Sequence, residues 1–290
     1  MLRPADRTTA MTEHAIPTDP VEFTNDPAVA AGSHEAGPGA AGALVLHGFT
    51  GNPSSMRSVA EAFAGAGFHV ELPLLPGHGT TMADMLTTGW DDWSAEVVRA
   101  LNRLADRTDR VVVAGLSMGG ALALWVALQR PPQVRTDVVR GLVLVNPLTM
   151  AQPAEVRAMI DEFVADGMEV VPGIGSDIAR PGVTELSYDG TPLRPLMSLL
   201  DTGMAPMAER YGEIGVPLLL FTSRHDHVVE PGHSEHLATT YGGPVDHRWL
   251  ERSFHVATRD HDADDIITRA LAFATQVAGE PVPDAIAAGE

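Results

Sequence analysis

Short apolar runs closed by Gly or Pro punctuate the chain at 43–47 (ALVLH), 68–72 (FHVEL), 110–115 (RVVVAG), 141–145 (GLVLV), 216–222 (VPLLLFT) and 246–250 (DHRWL). Runs of this length and apolar content read as buried strands. Between most of them lie longer stretches with apolar residues at helical spacing: 54–66, 91–106, 118–129, 233–241 and 261–277. These predict helices. Strands alternating with helices predict an α/β fold, a mostly parallel central sheet flanked by helices on both faces. One further short strand is expected near 20–23 (PVEF).

One interval breaks the alternation. Residues 149–208 separate two predicted strands by far more chain than such connections use. The interval begins with an amphipathic stretch, PAEVRAMIDEFVADG, and 165–195 then turns rich in Pro and Gly and should be poor in helix. It holds six of the twelve Met: Met150, Met159, Met168, Met197, Met204 and Met207. We read it as a cap inserted over the strand ends. Flexible, polarizable Met suits an adaptable apolar binding surface; the competing reading is that these Met pack the cap onto the core. The division that follows is a mobile tail and lead-in over 1–41, a core of 42–148 and 209–278, the cap 149–208, and a C-terminal tail 279–290. Met1 and Met11 are both open as the start of the chain.

Composition narrows the chemistry. At 290 residues and 44% hydrophobic content, the chain can bury a large core as one domain with an insertion. Its formal net charge of −19 repels phosphate backbones and anionic membranes, which argues against nucleic acid as a partner; the acidity itself is read as solubility. There is no Cys, hence no disulfide, no thiolate nucleophile and no Cys-ligated metal. All 19 basic residues are Arg, so a lysine Schiff base and a Ser–Lys dyad are excluded as well. No stretch reaches the roughly 18 apolar residues of a membrane span, and the N-terminal residues carry no apolar signal region. A cytoplasmic protein, monomer or homodimer, is expected.

Candidate chemistry centres on Gly115-Leu116-Ser117-Met118-Gly119, a G-x-S-x-G sequence where a strand ends and a helix begins. A reversal this sharp strains the serine, lifts its hydroxyl above the strand ends and demands small neighbours two residues away on either side. The helix directs its positive end at the same place. Ser117 is therefore the candidate nucleophile. A serine that only caps the helix is the competing reading; the clear strand before and helix after favour the nucleophile. Such a serine needs a base and an acid that orients it. Asp226 follows the strand 216–222, and His255 lies in the loop after 246–250. Glu230 is the rival acid on the same loop; His247, inside a strand, and His261, at a helix start, are less well placed. His225, His227, His233 and His236 also invite a metal reading, but nothing elsewhere is spaced to complete a site, so no metal is expected. In LVLHGFTGNPSS, the Phe49 N–H is the candidate second oxyanion donor beside the Met118 N–H. His47 and His78 read as loop anchors. Phe49, Met118, Met150, Met159, Met197 and Met204 are the candidate lining of a substrate pocket.

The motifs LVLHGFTGNP, LPGHG, TGWDDW, VAGLSMGG, SRHDHVV and SFHVATRD occur in an order that resembles the small bacterial carboxylesterases and monoacylglycerol lipases of the α/β-hydrolase superfamily, over about residues 42–275. The resemblance implies the α/β-hydrolase fold, with a small cap between its sixth and seventh strands. It implies the triad Ser117, Asp226 and His255, in the family's order Ser, acid, His, with oxyanion N–H groups from Phe49 and Met118. A single large apolar residue after His-Gly, here Phe49, resembles the type acting on short- and medium-chain acyl esters. The implied activity is hydrolysis of carboxylic esters through an acyl-enzyme, with no cofactor. A thioesterase or acyltransferase would use the same triad, and a non-catalytic ligand-binding homologue is the reading from another class. The Pro- and Gly-rich 165–195 departs from the family's more helical cap.

Overall fold

All six apolar runs form strands of one sheet. The structure is a computed structural model that describes residues 32–129 and 134–279; the strand expected at 20–23 and most of the two expected tails lie outside the described residues. The first strands are β1 (Gly32–His34), β2 (Gly42–Leu46), β3 (His69–Leu72), β4 (Val111–Leu116) and β5 (Val139–Val145). An insertion carrying the short strands β6 (Val170–Pro172) and β7 (Gly190–Pro192) follows, and then β8 (Leu218–Ser223) and β9 (Val245–Leu250). The seven-stranded sheet has the order β1-β3-β2-β4-β5-β8-β9, in which only β1 runs antiparallel to its neighbour.

Period-two alternation sorts the strand residues between two cores. Val111 and Val113 face one side with Trp93, Leu101, Leu122 and Leu220; Val112 and Ala114 face the other with Phe63, Phe68, Phe221 and Ile266. Helices α1 (Arg57–Gly65) and α8 (Ala263–Ala278) cover the second side. After the single turn α2 (Met82–Met85), α3 (Trp90–Ala105) and α4 (Met118–Leu128) cover the first. α3 shows a clean amphipathic stripe, with Trp93, Val97, Leu101 and Leu104 buried. α4 is apolar all round, as a helix enclosed by protein must be.

The insertion runs from the end of β5 to β8. Counted among the described residues it follows the fifth strand of the sheet, one earlier than the resemblance implies. It comprises α5 (Ala154–Ala165), the antiparallel pair β6–β7, α6 (Leu193–Ser198) and a π-helical turn over Leu199–Met204. The stretch 173–189, enclosed by β6 and β7, has no helix. It is tied to the body by side chains instead. The Asn52 amide donates to the Leu186 carbonyl (2.8 Å), and the Tyr188 hydroxyl donates to the Gly77 carbonyl (2.7 Å) while accepting from the Thr80 N–H (3.1 Å). α7 (Gly232–Thr240) then leads from β8 to β9.

Main chain packs directly on main chain at the β4–α4 junction. A side chain at Gly119 would strike the backbone of Leu46 and, at 2.8 Å, the carbonyl oxygen of His47; one at Gly115 would strike the Gly119 backbone. Both obstacles are main chain and cannot swing aside. Gly119→Ala is therefore expected to cost about 3 kcal/mol of unfolding free energy, read from denaturant-induced unfolding. A midpoint equal to wild type would mean that α4 does not lie this close to β2.

Candidate active site

Ser117 sits between β4 and α4 at φ 55°, ψ −115°, a conformation that costs a non-glycine residue about 1–3 kcal/mol. The neighbourhood holds it there. Its N–H donates to the Val145 carbonyl (3.0 Å), and its own carbonyl accepts from Gly120, Ala121 and Leu148. As first residue of α4, Met118 has an N–H with no intrahelical partner. Across from it, the His47–Pro53 loop passes so near that a Cβ on Gly48 would lie 3.5 Å from the Ser117 Cβ. Among the described residues the Phe49 N–H makes no hydrogen bond. Among the described residues, two backbone donors without a partner thus stand in the segments that adjoin the serine.

The buried histidines fix that loop. His47 Nδ1–H donates to the Gly48 carbonyl (3.0 Å), and Nε2 accepts from the Leu75 N–H (3.2 Å), which requires the neutral ring. Burial pushes its pKa down to about 4, only partly offset by the Gly48 bond. His78 Nδ1–H donates to the Pro76 carbonyl (3.1 Å), and its ring meets His47 and Trp93 edge-on. Burial, and then His47, hold its pKa well below the usual imidazole range.

Asp226 and His255 meet from two separate loops. His255 Nδ1–H donates to Asp226 Oδ2 at 2.7 Å, and both side chains are buried. Asp226 Oδ1 accepts the Val228 and Val229 N–H groups, each at 2.8 Å. The histidine's main chain is held as well. Its N–H donates to Asp177 Oδ2 (3.0 Å), and its carbonyl accepts from the Asn146 amide (2.8 Å). Asn146 Oδ1 in turn accepts from the Ser223 N–H (2.7 Å). Burial by itself favours the neutral imidazole, but the negative charges of Asp226, Glu185 and Asp177 outweigh it, and the His255 pKa is raised. This bond leaves Nε2 as the ring's free position, able to take and return a proton.

Ser117 and His255 line the same cavity of about 270 Å³, together with Phe49, Ile160, Leu196, Leu200 and Val228. Among the described residues the Ser117 hydroxyl makes no hydrogen bond; the bond from such a hydroxyl to its base is often long without substrate and tightens when substrate arrives.

The rival residues lie elsewhere. Glu230 and His261 are exposed, and His247 Nε2 pairs with the Thr222 hydroxyl at the sheet edge (2.7 Å). His227 is engaged with Asp177, and His233 Nδ1 accepts the Thr149 and Met150 N–H groups. Among the described residues no three His, Asp or Glu side chains are grouped to hold a metal.

The candidate pocket lining needs correction. Of the six residues expected there, only Phe49 lines the cavity; Met118, Met150, Met159, Met197 and Met204 do not. Met118 and Met204 are fully buried in the core, Met197 packs against it, Met150 is partly buried, and Met159 is 46% exposed on α5. The insertion's methionines pack it onto the body or face solvent, and branched aliphatic residues build the wall. Sequence reasoning also missed Asn146, Asp177 and Glu185. Asn146 directly after β5 was the one local signal, since a polar residue there stands at the strand ends.

Glu185 belongs to the cavity wall, and its carboxylate lies against Gly51. Burial lifts its pKa to about 7, against the pull of the His255 and Arg259 charges and with some help from Asp177.

Residues 43–283 match the alpha/beta hydrolase family. The chain is 38% identical over 247 residues to the thermostable monoacylglycerol lipase of Bacillus sp. (strain H-257), covering 83% of this chain and 93% of that protein. It is 24% identical over 233 residues to the carboxylesterase of Bacillus subtilis (strain 168), covering 76% and 87%. A solved structure described with LipS and LipT, two metagenome-derived lipolytic enzymes, is 39% identical and superposes with a TM-score of 0.76, over 85% of this chain and 98% of that one.

The raised Glu185 pKa sets a stability signature. A carboxyl that titrates near 4.5 when unfolded and at about 7 when folded favours the folded state at low pH, and that contribution is lost as pH climbs between the two values. Glu185→Gln lacks the loss. Its unfolding free energy relative to wild type should rise by roughly 2 kcal/mol between pH 5 and pH 8, a value reduced for the partial exposure of the group. Urea titrations across that range give the difference; a flat profile would return Glu185 to an ordinary carboxyl.

Proposed function

The chain belongs to the alpha/beta hydrolase family, and we propose that it hydrolyses carboxylic esters of short to medium acyl chains through Ser117, His255 and Asp226. The observation that carries the reading is the 2.7 Å bond from His255 to Asp226, made by an imidazole that shares one cavity with the strained Ser117. Ser117 Oγ attacks the ester carbonyl while His255 Nε2 takes its proton. Asp226 holds the ring in the Nδ1–H tautomer and stabilises the imidazolium that forms.

The carbonyl oxygen becomes an anion as the tetrahedral centre forms. The Phe49 and Met118 N–H groups receive it, each worth roughly 3 kcal/mol by comparison with measured deletions of such donors. The C–O bond to the alcohol then breaks, and His255 returns the proton to the departing oxygen. Water, deprotonated by the same imidazole, adds to the acyl carbonyl; the bond from the acyl carbon to Oγ then breaks, His255 gives its proton to Ser117 Oγ, and the acid leaves. No group beyond this chain and water enters the balance.

An apolar wall of Phe49, Ile160, Leu196 and Leu200 supports an aliphatic acyl chain as occupant. The likeness to a monoacylglycerol lipase and a carboxylesterase puts monoacylglycerols and simple short-chain esters both within the proposed range. The reading is of a cytoplasmic enzyme. Among the described residues no helix is long and apolar enough to cross a membrane.

Initial rates on p-nitrophenyl esters of increasing chain length, beside monoacylglycerols, test the proposal. Rates should peak at short or medium chains, and Ser117→Ala should lose at least about 10⁴-fold in kcat. Turnover surviving in that variant would remove Ser117 as nucleophile. Wild type that is inert toward every ester, yet labelled at Ser117 by a fluorophosphonate, would replace the ester with a thioester or an acyl transfer.

A further inference from the structure

We propose that Asp177, contributed by the insertion, is a positioning residue that holds the base-bearing and acid-bearing loops in register for the reaction. The inference rests on the triad reading above. Asp177 lies in the helix-free stretch between β6 and β7 and is buried. Its Oδ2 accepts two backbone N–H groups, that of His255 at 3.0 Å and that of His227 at 3.1 Å. Its Oδ1 takes the His227 Nδ1–H at 2.8 Å, and its own carbonyl accepts from the Val256 N–H at 3.1 Å. His227 directly follows Asp226, so one carboxylate grips the neighbour of the acid and the base itself.

A second clip fixes the same stretch. Asp260 accepts the Ala179 and Arg180 N–H groups at 2.7 and 2.9 Å, and the Phe254 N–H at 2.9 Å. The segment 177–180 is thereby stitched to the histidine loop at both ends. The insertion is more than a roof over the cavity: the separation and tilt of His255 against Asp226 depend on its being seated. Misplacing catalytic groups by about 1 Å costs on the order of 100-fold in rate.

Charge adds to geometry. The ionisable groups around His255 are Asp226 on the acid loop and Asp177 and Glu185 from the insertion; Arg259 on the turn after His255 acts on Glu185, and His227 pairs with Asp177. All three acids favour the imidazolium. Removing Asp177's charge while keeping its bonds should make His255 less basic and extend activity to lower pH.

Two variants separate these roles. Asp177→Asn is isosteric: its side-chain oxygen can accept both N–H groups, and its amide can donate to His227 Nδ1. Asp177→Ala loses every side-chain contact. Wild type and both variants are compared by kcat and KM across pH on a short-chain p-nitrophenyl ester, by the rate of fluorophosphonate labelling at Ser117, and by thermal unfolding. We expect Asp177→Ala to lose roughly 30- to 100-fold in kcat and in labelling rate with KM changed less than about threefold. Asp177→Asn should keep kcat within about threefold, with the acidic limb of kcat/KM moved down by roughly half a pH unit. A folded Asp177→Ala with wild-type kcat overturns the proposal, and so does an Asp177→Asn as impaired as Asp177→Ala. Should Asp177→Ala fail to fold, the Asn variant decides: a shifted limb supports the role, an unshifted limb overturns it. Wild type that neither turns over nor labels would instead mean that the ester-hydrolase reading had failed.

Discussion

The whole site hangs on a backbone reversal. β4 must end and α4 begin within one residue, and the returning helix passes against the carbonyls of Leu46 and His47 with no room for a side chain at Gly119. Parallel pairing, with Leu46 opposite Gly115, sets the end of β2 beside the end of β4. This proximity brings the segment that carries Phe49 close to Ser117 and Met118, and the reversal holds the serine at positive φ. The cost is local and is met by two cores that clamp the central strands from both faces. A looser junction would relieve the serine and at once separate the two donors.

Electrostatics around His255 reflects a second balance. A buried imidazole prefers to be neutral, yet three carboxylates surround this one and reverse the preference. Arg259 offsets part of this charge at Glu185. A site that favours the imidazolium suits a reaction in which the imidazolium forms beside a developing oxyanion. The same field keeps His255 protonated to higher pH, so the free base that the reaction needs is scarcer in acid.

The insertion belongs to both balances. Its helices contribute the aliphatic wall of the cavity, while its irregular stretch contributes Asp177 and Glu185. Helix-free backbone of this length holds its shape only if its polar groups find partners. Here they are Asn52, Asp260 and residues of the Leu75–Thr80 turn. Anchoring the stretch and completing the site are one set of contacts.

Local chemistry made much of this legible from the sequence. Strand and helix periods follow from which neighbours are apolar, and the six runs and five helical stretches appear where the pattern puts them. The glycines around Ser117 report a turn that only small residues permit. Asp226 and His255 each stand just past a strand, where the fold's loops gather, so their meeting could be inferred from order alone. What the sequence could not specify was set by distance along the chain. Asp177 reaches His255 across 78 residues, and Asn146 reaches it across 109. Asp177 carries no local motif and Asn146 only its place just past β5, because a hydrogen bond to a backbone N–H or carbonyl can be made by any Asp or Asn that arrives there. The pocket wall was misjudged for the same reason. Met content reports flexibility and bulk, but whether a side chain faces cavity, core or water depends on how the insertion returns to the body, and only the tertiary structure decides that.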